Sequence, residues 1–332
     1  VLFILYQICN KNCDIANILV FLKIKSNKKI NNTGLNLKTL NVESNFLAIE
    51  EEYSNLESSK IVIVPAPYEH TVSYGGGTAN APEAILKASA YVEFFDDESA
   101  RELCFEKGIA TIEPLDFSGK VDDVALQLIE DTVDQLLDMD KFVVTIGGEH
   151  TISSAPIKSH FKKHPNMSVL QFDAHSDFRD TYLDSKYSHA SVMARVAEFF
   201  PNERITQVGI RAQCIEEYNF INANKVKTFY ASAIGRGLHG EQWQKSVVDT
   251  LADEIYVTFD LDYFDPSIMP ATGTPEPDGL LYNETIQLFR EIKRRNKKII
   301  GFDVVELAPV EILHHCDLTS ARLIYKILNL QF

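Results

Sequence analysis

The sequence predicts an α/β protein: a doubly wound, mostly parallel sheet with helices on both faces, three α/β/α layers in all. Short apolar runs rich in β-branched and aromatic residues recur along the chain, as at 60–64, 142–146, 168–172 and 255–259. Such runs read as strands buried inside a parallel sheet. Stretches with helical apolar spacing separate them, and that alternation argues for parallel pairing with helices on each face. The ends of the runs are equally telling. Three of them close in ligand-type clusters: Gly147-Gly148-Glu149-His150, Asp173-Ala174-His175-Ser176-Asp177 and Asp260-Leu261-Asp262. The carboxyl ends of parallel strands border the ligand crevice. Four Asp and two His are therefore expected on one edge of one sheet.

Taken in order, 60–64 reads as the first strand and ends at Pro65-Ala66-Pro67. Gly75-Gly76-Gly77 and Asn80-Ala81-Pro82 form a loop. The glycine run lacks the following Gly-Lys-Ser/Thr of a phosphate loop, so it reads as a flexible active-site loop. A helix starts at 82–87 with Pro82 in its first turn. Asp96-Asp97-Glu98 reads as a solvated loop. Residues 121–137 have helical spacing and lead into strand 142–146, and a helix near 153–161 leads into strand 168–172. A loop to His189 and a helix over 190–199 precede strands 205–210 and 226–230. Helix 242–251 precedes strand 255–259, helix 282–294 precedes strand 298–302, and helix 319–330 closes the chain.

No repeat or second boundary follows residue 46, so 46–332 is expected to be one catalytic domain. Residues 1–45 carry almost no acid and much Asn, Lys, Ile and Leu, and read as a poorly ordered N-terminal extension. Their apolar start is too short for a membrane span, with Lys11, Asp14 and Lys23 interrupting it, and it lacks the marks of a signal peptide. A chain of 332 residues can bury a substantial core. A net charge of -15 argues against a nucleic-acid surface. Cys9, Cys13, Cys104, Cys214 and Cys316 are odd in number and scattered, which fits reduced thiols in a cytoplasmic protein.

Packed carboxylates repel and do not stay ionised unless something cancels their charge. Oxygen ligands with two imidazoles and no nearby Cys suit Mn²⁺, and less selectively Fe²⁺, Co²⁺, Ni²⁺ or Zn²⁺. His150, Asp173, His175, Asp177, Asp260 and Asp262 are too many ligands for one catalytic ion with an open position, and about right for two sharing carboxylates. In extended chain, positions two apart face the same way. Asp173, His175 and Asp177 obey that rule, as do Asp260 and Asp262, while Ala174 and Leu261 point elsewhere. Asp265-Pro266 reads as a turn and stays outside the site. Glu149 is open between steering the His150 ring and a structural role. Glu306, after the run 298–302, is open between a site carboxylate and a strand-end charge.

Together these blocks resemble the ureohydrolase family: arginase, agmatinase and relatives. Gly147 to Thr151 resembles its first block, Asp173 to Asp177 its second, and Phe259 to Pro266, running on to Thr272-Gly273-Thr274-Pro275, its third. The resemblance covers 46 to the C-terminus and implies an arginase-like fold with two Mn²⁺ per subunit. His150, Asp173, Asp177 and Asp260 would hold one ion. Asp173, His175, Asp260 and Asp262 would hold the other, with Asp173 and Asp260 bridging. A hydroxide between the ions would attack the guanidinium carbon. Asp177 is counted as both ligand and catalytic residue. His189 stands where the family keeps its proton-transfer histidine, a role that suits imidazole. Glu306 matches the family glutamate that grips the guanidinium. The resemblance also implies a homo-oligomer, a trimer or hexamer.

The loop 178–188 looks more like the agmatinase branch than the arginases, as does Gly209-Ile210-Arg211. The reaction implied is agmatine to putrescine and urea. Aminopropylagmatine, guanidinobutyrate, arginine or formiminoglutamate are the alternatives. Asp180 and Asp184 read first as solvated loop charges, and second as partners for the distal ammonium of a cationic guanidino substrate. Arg179 either faces solvent, pairs with those aspartates, or receives a substrate carboxylate. Two positions depart from the family pattern: Ala190 after His189, and Ala271 in Pro270-Ala271-Thr272-Gly273-Thr274-Pro275, where glycine is usual. A methyl group there bears on substrate choice, since no ligand is touched.

Overall fold

Eight strands of the computed structural model, which describes residues 35–332, form one sheet in which every pairing is parallel. They are β1 (Ile61–Ala66), β2 (Ile109–Thr111), β3 (Phe142–Gly147), β4 (Ser168–Phe172), β5 (Ile205–Ile210), β6 (Lys227–Tyr230), β7 (Glu254–Asp260) and β8 (Lys298–Val305). Their order is β2-β1-β3-β8-β7-β4-β5-β6. The sheet is thus doubly wound as predicted, and parallel throughout. Leu37–Phe332 forms one compact unit.

The principal helices are α1 (Ala81–Ser89), α2 (Asp122–Asp138), α3 (Ser154–Lys163), α4 (Val192–Ala197), α5 (Ile215–Asn224), α6 (Trp243–Val248), α7 (Tyr282–Arg294) and α8 (His314–Gln331). Alternation along the strands decides which helices each face receives. Ile61, Ile63, Val144, Leu170, Phe172, Val257 and Phe259 pack with α1, α6, α7 and α8. Their neighbours Val62, Val64 and Val143 pack with α2, and Val169 and Tyr256 with α3, α4 and α5. On the first face Phe172 stacks between Phe259 and Phe289 at centroid distances of 4.8 and 5.2 Å. Aromatic stacking of that kind stabilises by about 0.5–1.5 kcal/mol per pair beyond burial.

Three differences from the sequence reading have local causes. β2 has three residues, too few to show a period, and is held at the sheet edge by residues 38–45. Leu40 N donates to Thr111 O at 2.8 Å, and Asn45 Oδ1 accepts from Thr111 N at 2.8 Å. That part of the expected extension therefore lies against the domain, while 1–34 lies outside the described residues. α5 carries too thin an apolar stripe to be read as a helix, and is started instead by Glu217, which accepts from Cys214 N at 2.7 Å. The acidic turn is solvated only in part: Asp97 and Glu98 are exposed, but Asp96 is buried and pairs with Lys326 at 2.6 Å, and Lys326 also reaches Glu98 at 2.7 Å.

Candidate functional site

β3, β8, β7 and β4 are consecutive in the sheet, and each predicted ligand block leaves the carboxyl end of one of them. After β3 the chain passes under residue 68: a Cβ on Gly148 would stand 1.9 Å from Tyr68 O. Only glycine fits, and the next residues form the single turn His150–Ser153. After β4, Asp173 accepts from His175 N at 2.6 Å, which fixes that turn. After β7, Asp260 accepts from Asp262 N at 2.9 Å. Asp177 and Glu306 take left-handed backbone angles, φ 57° and 66°. Strain of this kind in non-glycine residues collects at functional sites; at both positions it re-aims a carboxylate.

The structure brings all six predicted ligands together. His150 Nδ1 lies 3.1 Å from Asp173 Oδ2, 3.0 Å from Asp177 Oδ2 and 3.2 Å from Asp260 Oδ2. His175 Nδ1 lies 2.9 Å from Asp262 Oδ2 and 3.7 Å from Asp173 Oδ1. His150, Asp173 and Asp260 form one group able to hold an ion, and Asp173, His175 and Asp262 another, with Asp173 common to both. All but His175 are buried.

The charges call for cations. Burial, then the neighbouring Asp177 and Asp262, push the Asp173 carboxyl up to about 7. Burial, then Asp262 and Asp173, raise Asp260 well above the carboxylate range. Burial would raise Asp262 too, but His175 beside it outweighs that and holds it at about 2. Burial disfavours a charged ring at His150 and His175, yet the surrounding carboxylates raise both well above the usual histidine value.

A buried hydroxyl chain sets the His150 tautomer. Asp303, fully buried on β8, accepts from Ser153 Oγ at 2.9 Å, Tyr256 OH at 2.8 Å and Thr258 Oγ1 at 2.8 Å. With its one proton given to Asp303, Thr258 Oγ1 accepts from His150 Nε2 at 2.9 Å. Nδ1 is thereby turned to three carboxylates without a well-directed hydrogen bond. Either a proton or a metal ion at Nδ1 balances those anionic oxygens, and once the ring is neutral its Nδ1 lone pair fits a metal ligand.

His189 stands across the cavity. Thr71 Oγ1 donates to Glu149 Oε1 at 2.8 Å and lies 3.2 Å from His189 Nδ1; Ser73 Oγ lies 3.2 Å from His189 Nε2. Thr71 has spent its proton, so Nδ1 is the donor and Nε2 is left as the acceptor. Glu149 does not reach the His150 ring. It accepts from His70 N at 2.8 Å, Thr71 N at 2.7 Å and Thr151 Oγ1 at 2.7 Å, and so holds the loop that holds His189. Glu306 Oε1 accepts from His150 N at 2.6 Å, and burial raises its carboxyl well above the usual range. Over these groups opens a cavity of about 260 Å³ lined also by Arg179, Tyr182, Gln213 and Glu276.

Of the substrate-end candidates, Asp180 and Asp184 are loop charges, as first read, and Arg179 is on the cavity wall. Asp180 is exposed and pairs with Arg195 at 2.9 Å, and neither it nor Asp184 lines the cavity. Arg179 does line it, stacked on the Tyr182 ring at 5.1 Å with Glu217 at 3.7 Å. Ala190 is on the wall, whereas Ala271 is buried in the core. Asp265 accepts from Ser267 N at 3.0 Å and Gly279 N at 3.1 Å, a turn residue outside the site. Asp303, Thr258 and Thr71 were not found from sequence. A charged residue inside the apolar run of β8 is the one signal that marks any of them.

A doubly wound sheet with paired candidate ligand clusters at its central strand ends defines the class: a three-layer α/β/α protein with a candidate metal centre. The model of the arginase family matches residues 59–329, and the chain belongs to that family. N(1)-aminopropylagmatine ureohydrolase of Synechocystis sp. is 34% identical over 286 residues, 84% of this chain and 91% of that protein. Agmatinase of Bacillus cereus is 32% identical over 277 residues, covering 81% and 90%. The crystal structure of agmatine ureohydrolase of Thermoplasma volcanium superposes with a TM-score of 0.75 at 25% identity, covering 87% of this chain and 94% of that one. No helix among the described residues is long and apolar enough to cross a membrane.

Proposed function

We propose that the protein hydrolyses the guanidino group of agmatine, releasing putrescine and urea, with two Mn²⁺ per subunit. The carrying observation is the pair of ligand groups sharing Asp173 at the floor of a cavity walled by Glu306 and His189. His150, Asp173, Asp177 and Asp260 would hold one ion; Asp173, His175, Asp260 and Asp262 the other. When bound, such a pair supplies a water acidic enough to be a nucleophile near neutral pH. Glu306 orients the substrate: Oε1 is fixed by His150 N–H, and the carboxylate accepts from the planar guanidinium. His189, with Nε2 as its acceptor, carries the proton that the leaving amine nitrogen needs. A substrate one aminopropyl arm longer is the second reading, favoured by the names of several relatives.

The test offers Mn²⁺-loaded protein agmatine, aminopropylagmatine, arginine, guanidinobutyrate and formiminoglutamate. Urea from agmatine is the expected product. Urea from aminopropylagmatine alone selects the second reading, and formamide from formiminoglutamate with no urea from any compound overturns both.

A further inference from the structure

Outside the predicted metal ligands, three acidic residues line the cavity: Glu217, Glu276 and Glu306. Two are committed. Glu217 is buried and accepts from Ser176 Oγ at 3.1 Å, Phe178 N at 3.0 Å and Cys214 N at 2.7 Å. Glu306 accepts from His150 N. Glu276 instead bonds through its backbone carbonyl, to Arg211 Nη2 at 2.9 Å. Among the described residues its carboxylate has no ion-pair or hydrogen-bond partner.

The backbone that carries it is nevertheless held in place. Arg211 is a hub whose N–H groups reach Asp262 O at 2.7 Å, Tyr263 O at 3.2 Å, Gly209 O at 3.0 Å and Pro277 O at 2.9 Å. One guanidinium thus ties the loop bearing Glu276 to the turn bearing Asp262. The loop also starts beside the guanidinium-gripping group, since a Cβ on Gly273 would stand 3.8 Å from Glu306 Oε2. From Gly273 to Glu276 the chain extends at most about 10 Å, comparable to a four-carbon spacer carrying an amine at its far end.

We propose that Glu276 receives the distal ammonium of the substrate and makes the cavity select guanidino amines over guanidino acids. This rests on the guanidino-hydrolase reading above. Arg179 on the same wall does not reverse the preference. Its charge already faces Glu217 and the Tyr182 ring, while the charge of Glu276 is unanswered.

The experiment compares wild type with Glu276→Gln and Glu276→Lys, all Mn²⁺-loaded, on agmatine, butylguanidine (the same chain without the ammonium) and guanidinobutyrate. Losing one charge-assisted contact should raise KM for agmatine about tenfold or more. The loss should fall on KM rather than kcat, and should erase the preference for agmatine over butylguanidine. Glu276→Lys should shift preference toward guanidinobutyrate. A preference for agmatine that survives in Glu276→Gln overturns the proposal. Calorimetric titration with 1,4-diaminobutane reads the same contact without turnover. Weaker binding by Glu276→Gln supports the assignment, and equal binding overturns it, even if wild type releases no urea from any compound. That last result would overturn the guanidino-hydrolase reading alone.

Discussion

At the scale of single residues, the candidate ligands announce themselves and their supports do not. Asp173, His175 and Asp177 share a face because side chains alternate along extended chain. Thr258 is an unremarkable β-branched residue in an apolar run, and only the bond from His150 Nε2 at 2.9 Å and the bond to Asp303 at 2.8 Å reveal what it does. Thr258→Val keeps the shape and deletes the acceptor, so the imidazole loses the partner that presents Nδ1 to the carboxylates. Mn²⁺ affinity should fall about ten- to a hundredfold, the usual cost of losing a group that orients a ligand. Asp303 keeps Ser153 and Tyr256 as donors, so the fold should persist. Calorimetric Mn²⁺ titration with a far-UV spectrum checks both. Unaltered affinity would remove Thr258 from the site. Asp303 was within reach of the sequence, because a carboxylate inside a strand run needs partners. Thr71 was not: its link to His189 spans 118 positions and exists only in the fold.

At the scale of elements, the long periodic pieces were legible and the loops that shape the cavity were not. α7 carries its apolar residues at helical spacing, and its bounds are those read from sequence. The glycine loop reads from sequence as a flexible active-site loop, with no sign of what it packs against. It is built into a crossing: Gly75 N donates to Gly273 O at 3.1 Å, and a Cβ on either glycine would stand 2.8 Å from the other's carbonyl oxygen. The two backbones touch because neither carries a side chain. Gly273→Ala should push them apart, at a cost of about 1–3 kcal/mol for overpacking. It should also slow turnover, since Gly273 borders Glu306 Oε2. Gly235→Ala is the control, with nothing within 4 Å of the added methyl group. Denaturant midpoints and kcat of the two variants check this; equal behaviour would mean the crossing yields without consequence.

At the scale of the whole molecule, the strand order was the step that sequence could not take. Local runs say which segments are strands, but the adjacency of β3, β8, β7 and β4 depends on helices packing on both faces. One of those contacts makes stability depend on pH. His160 of α3 is fully buried against the Tyr256 ring, 4.7 Å between centroids, with Nδ1 2.7 Å from Pro156 O. Among the described residues its Nε2 has no well-formed hydrogen bond, and a Cβ on Gly301 would stand 2.2 Å from it. Burial lowers this imidazole from 6.5 to about 4. The folded state therefore keeps His160 neutral at pH values where the unfolded chain binds a proton. Above pH 6.5 both states are neutral and nothing is lost; as pH falls toward 4 the unfolded state alone is protonated, and stability drops. The slope is about 1.4 kcal/mol per pH unit, which comes to about 3 kcal/mol over the whole interval. The carboxylate cluster titrates too, so the comparison is between metal-free wild type and metal-free His160→Leu in guanidinium unfolding at pH 7 and pH 5. The variant should begin less stable and lose about 2 kcal/mol less over that step. Equal losses would mean that His160 takes up its proton in the folded protein as readily as in the unfolded chain.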